Sequence, residues 1–550
     1  MKVLIVGGVA GGVSAAARLR RLDESMEIVI FERDEYISYA NCGLPYYIGG
    51  VIEERDRLFV QSVIGMSQRF NLDIRTKNEV TKIDRGNKAV TVCELDSGRE
   101  YVEEYDYLIL SPGAEPVAPP IPGIEHHRVF SVRNISDTDR IKAFVSDNQP
   151  KNAVIVGGGF VGLEMAENLQ HLGCQVTIVE MAPQVLGAID QDMAGIVHGY
   201  LKKQGIKLYL NNTVTTMNHD ADTSMVTLAS GKKLPADLVV LGIGVTPNTN
   251  LAQTAGLAIN EWGAIVTDEF LRTSDPWIYA VGDAIAVTDF VTGHPAYMPL
   301  AGPANKMGRI AANNICGKTE TYNGSQGTMI IKLFELTAAA TGSTERNLRE
   351  LGIPYEKSYT HSESHASYYP GARPMSIKLL FDPQSGNILG GQIVGFTGVD
   401  KRIDVLATAI RFGGTVFDLQ GLELAYAPPF SSAKDPVNMA GYVAGNIINN
   451  DMPVIHWQDL TLNEANMLID VRTAWEFQAG HVEGAVNIPV DELRERIFEI
   501  PKSKQIMVYC AVGRRSYLAT RILKQKGYDV LNISGGWRSY QAINNQLPTG

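Results

Sequence analysis

Long apolar runs are missing from this chain of 550 residues. No stretch approaches the roughly twenty uninterrupted apolar residues that a bilayer span requires, so no membrane role is expected. Basic charge is also short: 49 lysines and arginines stand against 60 acidic residues, a net charge of −11. Without a basic surplus a nucleic-acid partner is not expected, although a small anionic ligand needs only a local cluster. Cysteine is scarce and odd in number. Cys42, Cys93, Cys174, Cys316 and Cys510 show neither C-x-x-C nor Cys/His spacing, which excludes a disulfide scaffold and a zinc site; no metal is expected. The 45% hydrophobic and 20% charged composition is that of a globular chain of several domains. The apolar opening from Lys2 to Ala17 superficially suggests a secretory segment, but glycines at 7, 8, 11 and 12 weaken any helix there. Arg18, Arg20 and Arg21 follow where a cleavage site would stand, so a cytoplasmic location is expected. Individual thiols are therefore the chemistry to examine.

One pattern occurs twice. Val3 to Val6, a glycine-rich turn, a small-residue helix to Arg21 and Ile28 to Glu32 form a β-α-β unit ending on an acid. Ala153 to Val156, Gly157-Gly158-Gly159, a helix over about 162–172 and Val176 to Glu180 repeat it. Between the copies, Pro112, Pro116, Pro119, Pro120 and Pro122 describe an extended crossing that is neither helix nor central strand. A further strand, Leu238 to Ile243, leads into Gly244-Val245-Thr246-Pro247, a crossing back. Alternating runs such as Thr328 to Phe334 and Met375 to Phe381 predict antiparallel strands, followed by a helix near 403–412. After a polar linker, the last stretch has strands of its own at Leu468 to Val471, Ile506 to Tyr509 and Val530 to Ile533.

The two turns carry the first chemistry. Gly7-Gly8-Val9-Ala10-Gly11-Gly12 has Val9 where the middle glycine of G-x-G-x-x-G would stand, whereas Gly157-Gly158-Gly159-Phe160-Val161-Gly162 is a full match. Such turns let backbone approach a pyrophosphate at a helix N-terminus, while Glu32 and Glu180 suit ribose hydroxyls and repel a 2′-phosphate. Glu180 is followed by Met181-Ala182-Pro183 without an arginine, so NADH is expected over NADPH. First-nucleotide contacts are expected at Gly7, Gly8, Ala10, Gly11, Glu32 and Arg33, and NADH contacts at Gly157, Gly159, Gly162 and Glu180.

With Ile278-Tyr279-Ala280-Val281-Gly282-Asp283-Ala284, the chain resembles the flavoproteins built on two dinucleotide-binding domains. The resemblance implies FAD on the first turn and Asp283 on its ribitol. Cys42, in Asn41-Cys42-Gly43-Leu44-Pro45, stands where relatives carry a C-x-x-x-x-C pair; here the second position is Tyr47, so no internal disulfide forms. A lone thiol opening a helix is expected to be held as thiolate by the helix dipole and, next to flavin, by charge transfer, and to cycle through a mixed disulfide, persulfide or sulfenate. Those segments and Tyr426-Ala427-Pro428-Pro429-Phe430-Ser431-Ser432-Ala433-Lys434-Asp435-Pro436 resemble the coenzyme A-disulfide reductase subgroup over the first 445 residues. The resemblance implies a homodimer in which Tyr368 and Tyr426 reach the partner's thiol as proton donors. It also implies coenzyme A, as substrate or bound co-substrate, on Arg18, Arg21, Ser38, Asn41, Asn305 and Lys434.

The last domain resembles rhodanese at Asp470-Val471-Arg472, Gly480-His481-Val482-Glu483-Gly484-Ala485 and Cys510-Ala511-Val512-Gly513-Arg514-Arg515-Ser516. A strand ending at Cys510 before a loop and helix points backbone N–H groups at the sulfur and stabilises a persulfide, reinforced by two arginines. A phosphatase loop would need arginine at 516, where Ser516 stands; Arg515 closes the shorter loop. Asp470, Arg472 and His481 are read as structural.

The expected fold class is α/β: Rossmann-like FAD and NAD domains, an α+β dimerisation domain and a C-terminal α/β rhodanese domain. Its expected boundaries are 1–115 and 249–325 for the FAD domain, 116–248 for NAD(H), 326–447 for dimerisation, 448–455 for the linker and 456–550 for rhodanese. The expected function is NADH- and FAD-dependent reduction of CoA-disulfide, CoA-persulfide or polysulfide, coupled to sulfur transfer, with small thiols, disulfides and polysulfides as partners. An NADH oxidase or peroxidase cycling through a Cys42 sulfenic acid, and a redox-sensing module without turnover, are the alternatives.

Overall fold

The computed structural model describes residues 1–220 and 224–544, so the last six positions of the expected terminal domain, 545–550, lie outside the described residues. The chain divides into two units, Met1–Met181 with Asn212–Ser325, and Ala182–Asn211 with Gln326–Gly550.

In the first unit, Lys2–Val6 pairs in parallel with Glu27–Glu32 on one side and Tyr107–Leu110 on the other. Asp73–Thr76 and Ile278–Ala280 extend the sheet at its two edges. The strand sequences KVLIV and EIVIFE are almost continuously apolar because a parallel sheet is covered on both faces. The Ala10–Leu22 helix, rich in alanine and leucine, lies against the Ala301–Ile315 helix. Their backbones come so close that a Cβ on Gly308 would stand 2.2 Å from the Gly11 carbonyl oxygen.

The second copy repeats this arrangement with Gln175–Val179, Asn152–Val156, Leu238–Leu241 and Val129–Ser131, all parallel, and the Phe160–His171 helix. The expected strand from Leu238 stops at Leu241. The proline-rich crossing is not a central strand: Ala114–Pro116 and Val245–Pro247 form a two-stranded antiparallel ribbon, so the outward and return crossings pair with each other. Two three-stranded antiparallel sheets absent from the sequence reading complete the unit: Asn78–Asp84, Ala89–Glu94, Arg99–Glu104, and Val214–His219, Ser224–Leu228, Lys233–Ala236. Their alternation of buried and exposed residues is that of sheets wet on one face.

The second unit holds the expected antiparallel sheet, in the order Met329–Leu333, Leu336–Gly342, Ile388–Gly395, Pro374–Phe381, Glu356–Glu363. The Val399–Arg411 and Pro436–Ile448 helices pack on it. Asp435 caps the latter, its carboxylate accepting from the Val437 N–H at 2.9 Å with Pro436 as first helical residue. Lys378 is completely buried on this sheet and bonds Asp190 at 2.9 Å, Asp192 at 2.8 Å and Glu345. Lys357 adds a second cation on Glu345 at 2.8 Å, and together the two hold the Glu345 carboxyl at about 2. A last parallel sheet runs Val454–Ile455, Val530–Ile533, Gln505–Tyr509, Asn466–Asp470, Val486–Asn487 around a core of Ile469, Ile506, Val508, Ala519 and Leu523.

Candidate active sites: two nucleotide turns and two thiol loops

The repeat extends to single hydrogen bonds. Gly7 N–H donates to the Phe31 carbonyl at 2.9 Å and Gly157 N–H to that of Val179 at 2.8 Å. Gly8 N–H donates to Glu32 at 2.7 Å, Gly158 N–H to Glu180 at 2.6 Å. Each acid is thus held by the turn it serves. Gly7 and Gly157 have φ of +99° and +103°, and a Cβ there would lie 2.1 and 2.3 Å from a carbonyl oxygen, so glycine is required at both. Gly12 and Gly162 are likewise filled from inside, their Cβ positions 2.0 and 2.2 Å from the carbonyls of Gly7 and Gly157. Gly12 stood in the turn without a role in the sequence reading; it packs the helix onto its strand. Gly159 differs: its Cβ would meet nothing nearer than the Gly242 oxygen at 3.8 Å. Such an open face is what close approach of a pyrophosphate requires.

Glu32 also accepts from the Asp34 N–H at 2.9 Å, and its burial raises its pKa. Ala10 opens the helix, and a Cβ on Gly11 would crowd the side chains of Ser111 and Val281. Arg33 is exposed and pairs with Glu115, whose other oxygen holds Arg133. Asp283 lies in the Gly282–Ala284 turn, half-buried. Its backbone carbonyl accepts from Tyr297, burial raises its carboxyl pKa, and that carboxylate accepts no hydrogen bond among the described residues. An acceptor short of donors suits polyhydroxyl chemistry. The chemistry of both turns therefore fits a dinucleotide: each has a carboxylate held beside it, and Asp283 adds an acceptor short of donors near the first.

Cys42 is exposed in the Asn41–Gly43 turn, ahead of the five-residue Leu44–Ile48 helix. Its electrostatics differ from those expected. Surrounding protein, together with Glu164 and Asp283, pushes the thiol up, and so short a helix has little dipole to oppose them. Within the polypeptide the balance favours the neutral thiol. Glu164, absent from the sequence reading, follows Gly162 on the Phe160–His171 helix; burial drives it to about 7 against the opposing Tyr46 hydroxyl, 3.4 Å away. Only the fold turns it toward this thiol. Of the other cysteines, Cys93 and Cys316 are half-buried and Cys174 is buried.

The expected coenzyme A residues fall on different elements. Arg18 donates to Asn313 at 2.7 Å and Asn305 accepts from Ser14 at 2.5 Å, so both belong to the facing helix pair of the first unit. Arg21 is exposed and donates to the Ala17 carbonyl at 2.9 Å. Arg20, between them, is structural, buried on the carbonyls of Phe70, Glu24, Met26 and Asn71. Ser38 takes φ +48° beside the first turn, its N–H donating to the Gly8 carbonyl, and Asn41 is exposed next to the thiol. Lys434 is exposed in the second unit. There the Tyr368 and Tyr426 hydroxyls hydrogen-bond at 2.8 Å, and this bond raises the Tyr368 phenol pKa.

In the terminal sheet, Cys510 ends the Gln505–Tyr509 strand, fully buried, and its sulfur accepts from the Gly513 N–H at 3.2 Å. Gly513 takes φ +100°, turning its N–H back to the sulfur before the Arg514–Gln525 helix begins. Of the two arginines expected to reinforce the loop, Arg515 is bound at 2.7 and 2.8 Å by both oxygens of Glu476, whereas Arg514 is exposed. Glu476 is a residue the sequence reading missed, although Thr473 with Glu476 spells a capping box. Asp470 and Arg472 form a buried pair at 2.6 Å, and His481 stacks on Phe477, structural roles as expected.

Two dinucleotide turns, a solitary exposed thiol and a second thiol cradled by backbone N–H define a redox protein that couples nicotinamide nucleotides to sulfur. The chain matches the pyridine nucleotide-disulphide oxidoreductase family over residues 1–308, that family's dimerisation domain over 328–436 and a rhodanese-like domain over 455–543. It belongs to the pyridine nucleotide-disulphide oxidoreductase family. Coenzyme A disulfide reductase of Staphylococcus haemolyticus is 35% identical over 447 residues, covering 81% of this chain and 100% of that protein. The NADH oxidase of Methanocaldococcus jannaschii is 36% identical over 451 residues, covering 82% and 100%. Among solved structures, reduced Bacillus anthracis CoADR-RHD superposes with a TM-score of 0.97 at 50% identity over 98% of both chains. A NAD-dependent persulfide reductase from A. fulgidus does so at 0.92 and 39% identity, over 98% of this chain and 100% of that one. Among the described residues no helix is long and apolar enough to cross a membrane.

Proposed function

We propose that this protein is a cytoplasmic homodimeric reductase that uses NADH and FAD to reduce CoA-disulfide, CoA-persulfide or polysulfide through Cys42, with Cys510 as a sulfurtransferase thiol. The observation that carries this is the pairing, in one chain, of an exposed thiol without a disulfide partner and a buried thiol bonded by the Gly513 N–H. A lone thiol completes a disulfide cycle only by pairing with a sulfur that arrives on a substrate. The relatives named as coenzyme A disulfide and persulfide reductases support that class of substrate.

Bound NADH and FAD supply the two electrons of each turnover. The Cys42 thiolate attacks CoA-disulfide, forming a Cys42–CoA mixed disulfide and releasing one CoA thiolate. Two electrons and a proton then return Cys42 to the thiolate and release the second CoA as thiol. With CoA-persulfide, attack on the inner sulfur expels hydrosulfide and attack on the outer sulfur expels CoA. The first departing thiolate takes its proton from a phenol of the Tyr368–Tyr426 pair of the second copy. One hydroxyl of the pair donates to the other at 2.8 Å, which leaves the second O–H free to donate outward. Arg18, Arg21, Ser38, Asn41, Asn305 and Lys434 hold coenzyme A. Asn41 adjoins the thiol, and the arginines lie on the helix that follows the first turn.

The oxidase reading keeps Cys42 and replaces the mixed disulfide by a sulfenic acid; the relative named NADH oxidase supports it. NADH consumption by wild type and Cys42→Ser with CoA-disulfide, CoA-persulfide, polysulfide, peroxide and oxygen separates the readings. The expected result is Cys42-dependent turnover fastest with a CoA-bound sulfur, and a CoA adduct at Cys42 by mass spectrometry. Turnover with peroxide or oxygen that outruns every sulfur substrate overturns the reductase reading, and no turnover with any acceptor leaves the sensing module.

A further inference from the structure

Tyr368 and Tyr426 are 74% and 47% exposed, yet their hydroxyls meet at 2.8 Å. Exposed phenols on separate loops do not hold such a geometry by their own packing, so something beneath must register the loops. Arg402, on the Val399–Arg411 helix and 1% exposed, is the largest fully buried side chain among the described residues. Its guanidinium donates through Nε and Nη2 to the Asp435 carboxylate at 2.9–3.2 Å, and through Nη2 to the Ser431 hydroxyl at 3.2 Å. Those two acceptors lie on the loop that carries Tyr426, between Gly421 and Pro436. Nη2 also donates to the Ser364 carbonyl at 2.9 Å, four residues before Tyr368. Nη1 closes on its own helix at the Gly398 carbonyl, 3.0 Å away.

One planar cation therefore bonds both tyrosine loops. Backbone carries the registration onward: Ala366 N–H donates to the Ser431 carbonyl at 3.1 Å, and Tyr369 N–H to the Ala366 carbonyl at 2.9 Å. Lys401 bonds the Phe430 carbonyl at 3.1 Å and stands 4.0 Å from Asp435, so it touches only the Tyr426 loop. A lysine at 402 would keep the charge but lose the fork that reaches two loops at once.

We propose that Arg402 is a positioning residue that registers the Tyr368–Tyr426 pair for proton donation; this rests on the reading of those phenols given above. The test is a double-mutant cycle on the holoenzyme with Arg402→Lys, Tyr426→Phe and the double variant, using CoA-disulfide and NADH. Arg402→Lys is expected to lower kcat about tenfold with KM within about twofold, and to move the alkaline limb of the kcat–pH profile. On the Tyr426→Phe background the same change is expected to cost less than about twofold, because contacts that act through one pair are not additive. In alkaline ultraviolet titration, the late-ionising phenol that Tyr426→Phe removes is expected to be lost in Arg402→Lys as well. Additive losses with an unmoved pH profile and phenol titration overturn the proposal. Should Arg402→Lys fail to fold, Ser431→Ala removes the shared hydroxyl alone and is held to the same non-additivity. If Tyr426→Phe by itself keeps the wild-type rate, with Arg402 intact, the phenol reading fails and the proposal falls with it.

Discussion

Removing one charge from the terminal domain gives a test in which sign and size are both set by geometry. In Glu476→Gln the amide keeps the capping position three residues after Thr473, where glutamine serves as well as glutamate, but the anion facing Arg515 is gone. Arg515's hydrogen bonds, with smaller help from the Thr473 hydroxyl and N–H, hold Glu476 at about 2, against an ordinary 4.5. At about 1.4 kcal/mol per unit, the full shift corresponds to an upper limit of roughly 3 kcal/mol. The Glu476 and Arg515 side chains are 20% and 32% exposed, so water screens the pair and about 1–2 kcal/mol is expected. The assay is hydrogen exchange of the Gln505–Tyr509 strand, which reports this domain without requiring the whole chain to unfold in one step. At pH 7 the variant is expected to exchange about 5–30-fold faster. A carboxylate with a depressed pKa stabilises the fold above its unfolded value and loses that contribution as pH falls toward its folded value. Wild type and variant should accordingly converge between pH 4.5 and about 2. Equal protection at pH 7, or a deficit unchanged down to about pH 3, refutes the reasoning.

Gly159→Ala is expected to leave the thermal midpoint within a degree or so, since nothing lies within 3.8 Å of the new methyl, yet to raise KM for NADH about tenfold or more by blocking pyrophosphate approach. Gly162→Ala, with its Cβ 2.2 Å from a carbonyl oxygen, should instead destabilise the domain, as calorimetry would register. Lys378→Met leaves Asp190 and Asp192 buried without their cation and Glu345 with Lys357 alone, and is expected to cost about 3–5 kcal/mol, measured as lost soluble yield and a lowered denaturation midpoint. Glu180→Ala should raise kcat/KM with NADPH relative to NADH by removing the carboxylate that repels a 2′-phosphate, while an unchanged ratio would deny Glu180 that role.

Both glycine turns, their acids and both thiol loops were legible in the sequence because each is a local pattern a few residues long. Gly7, Gly157 and Gly513 take positive φ inside their own strand–turn–helix units, whereas the Ser111 and Gly242 carbonyls that crowd the first two come from remote strand ends. The same local reading could not separate Gly159, open to a ligand, from Gly162, filled by its own turn; the difference is which atoms stand opposite a missing Cβ. Arg18 and Arg20, two residues apart on one helix, gain their partners only in the fold: the first bonds a facing helix and the second is buried on backbone carbonyls. Glu164 stands 122 residues along the chain from the thiol whose ionisation it opposes.

Fold class, the two glycine turns and the loops that carry Cys42 and Cys510 follow from short-range order, since hydrophobic period, turn chemistry and motif spacing act between near neighbours in the chain. The neutral bias of Cys42, the clasp of Glu476 on Arg515 and the bond of Arg402 to both tyrosine loops belong to the tertiary structure. Electrostatic and hydrogen-bond energies depend on distance in space and on the water excluded around them, and neither quantity exists until the chain has brought remote residues together.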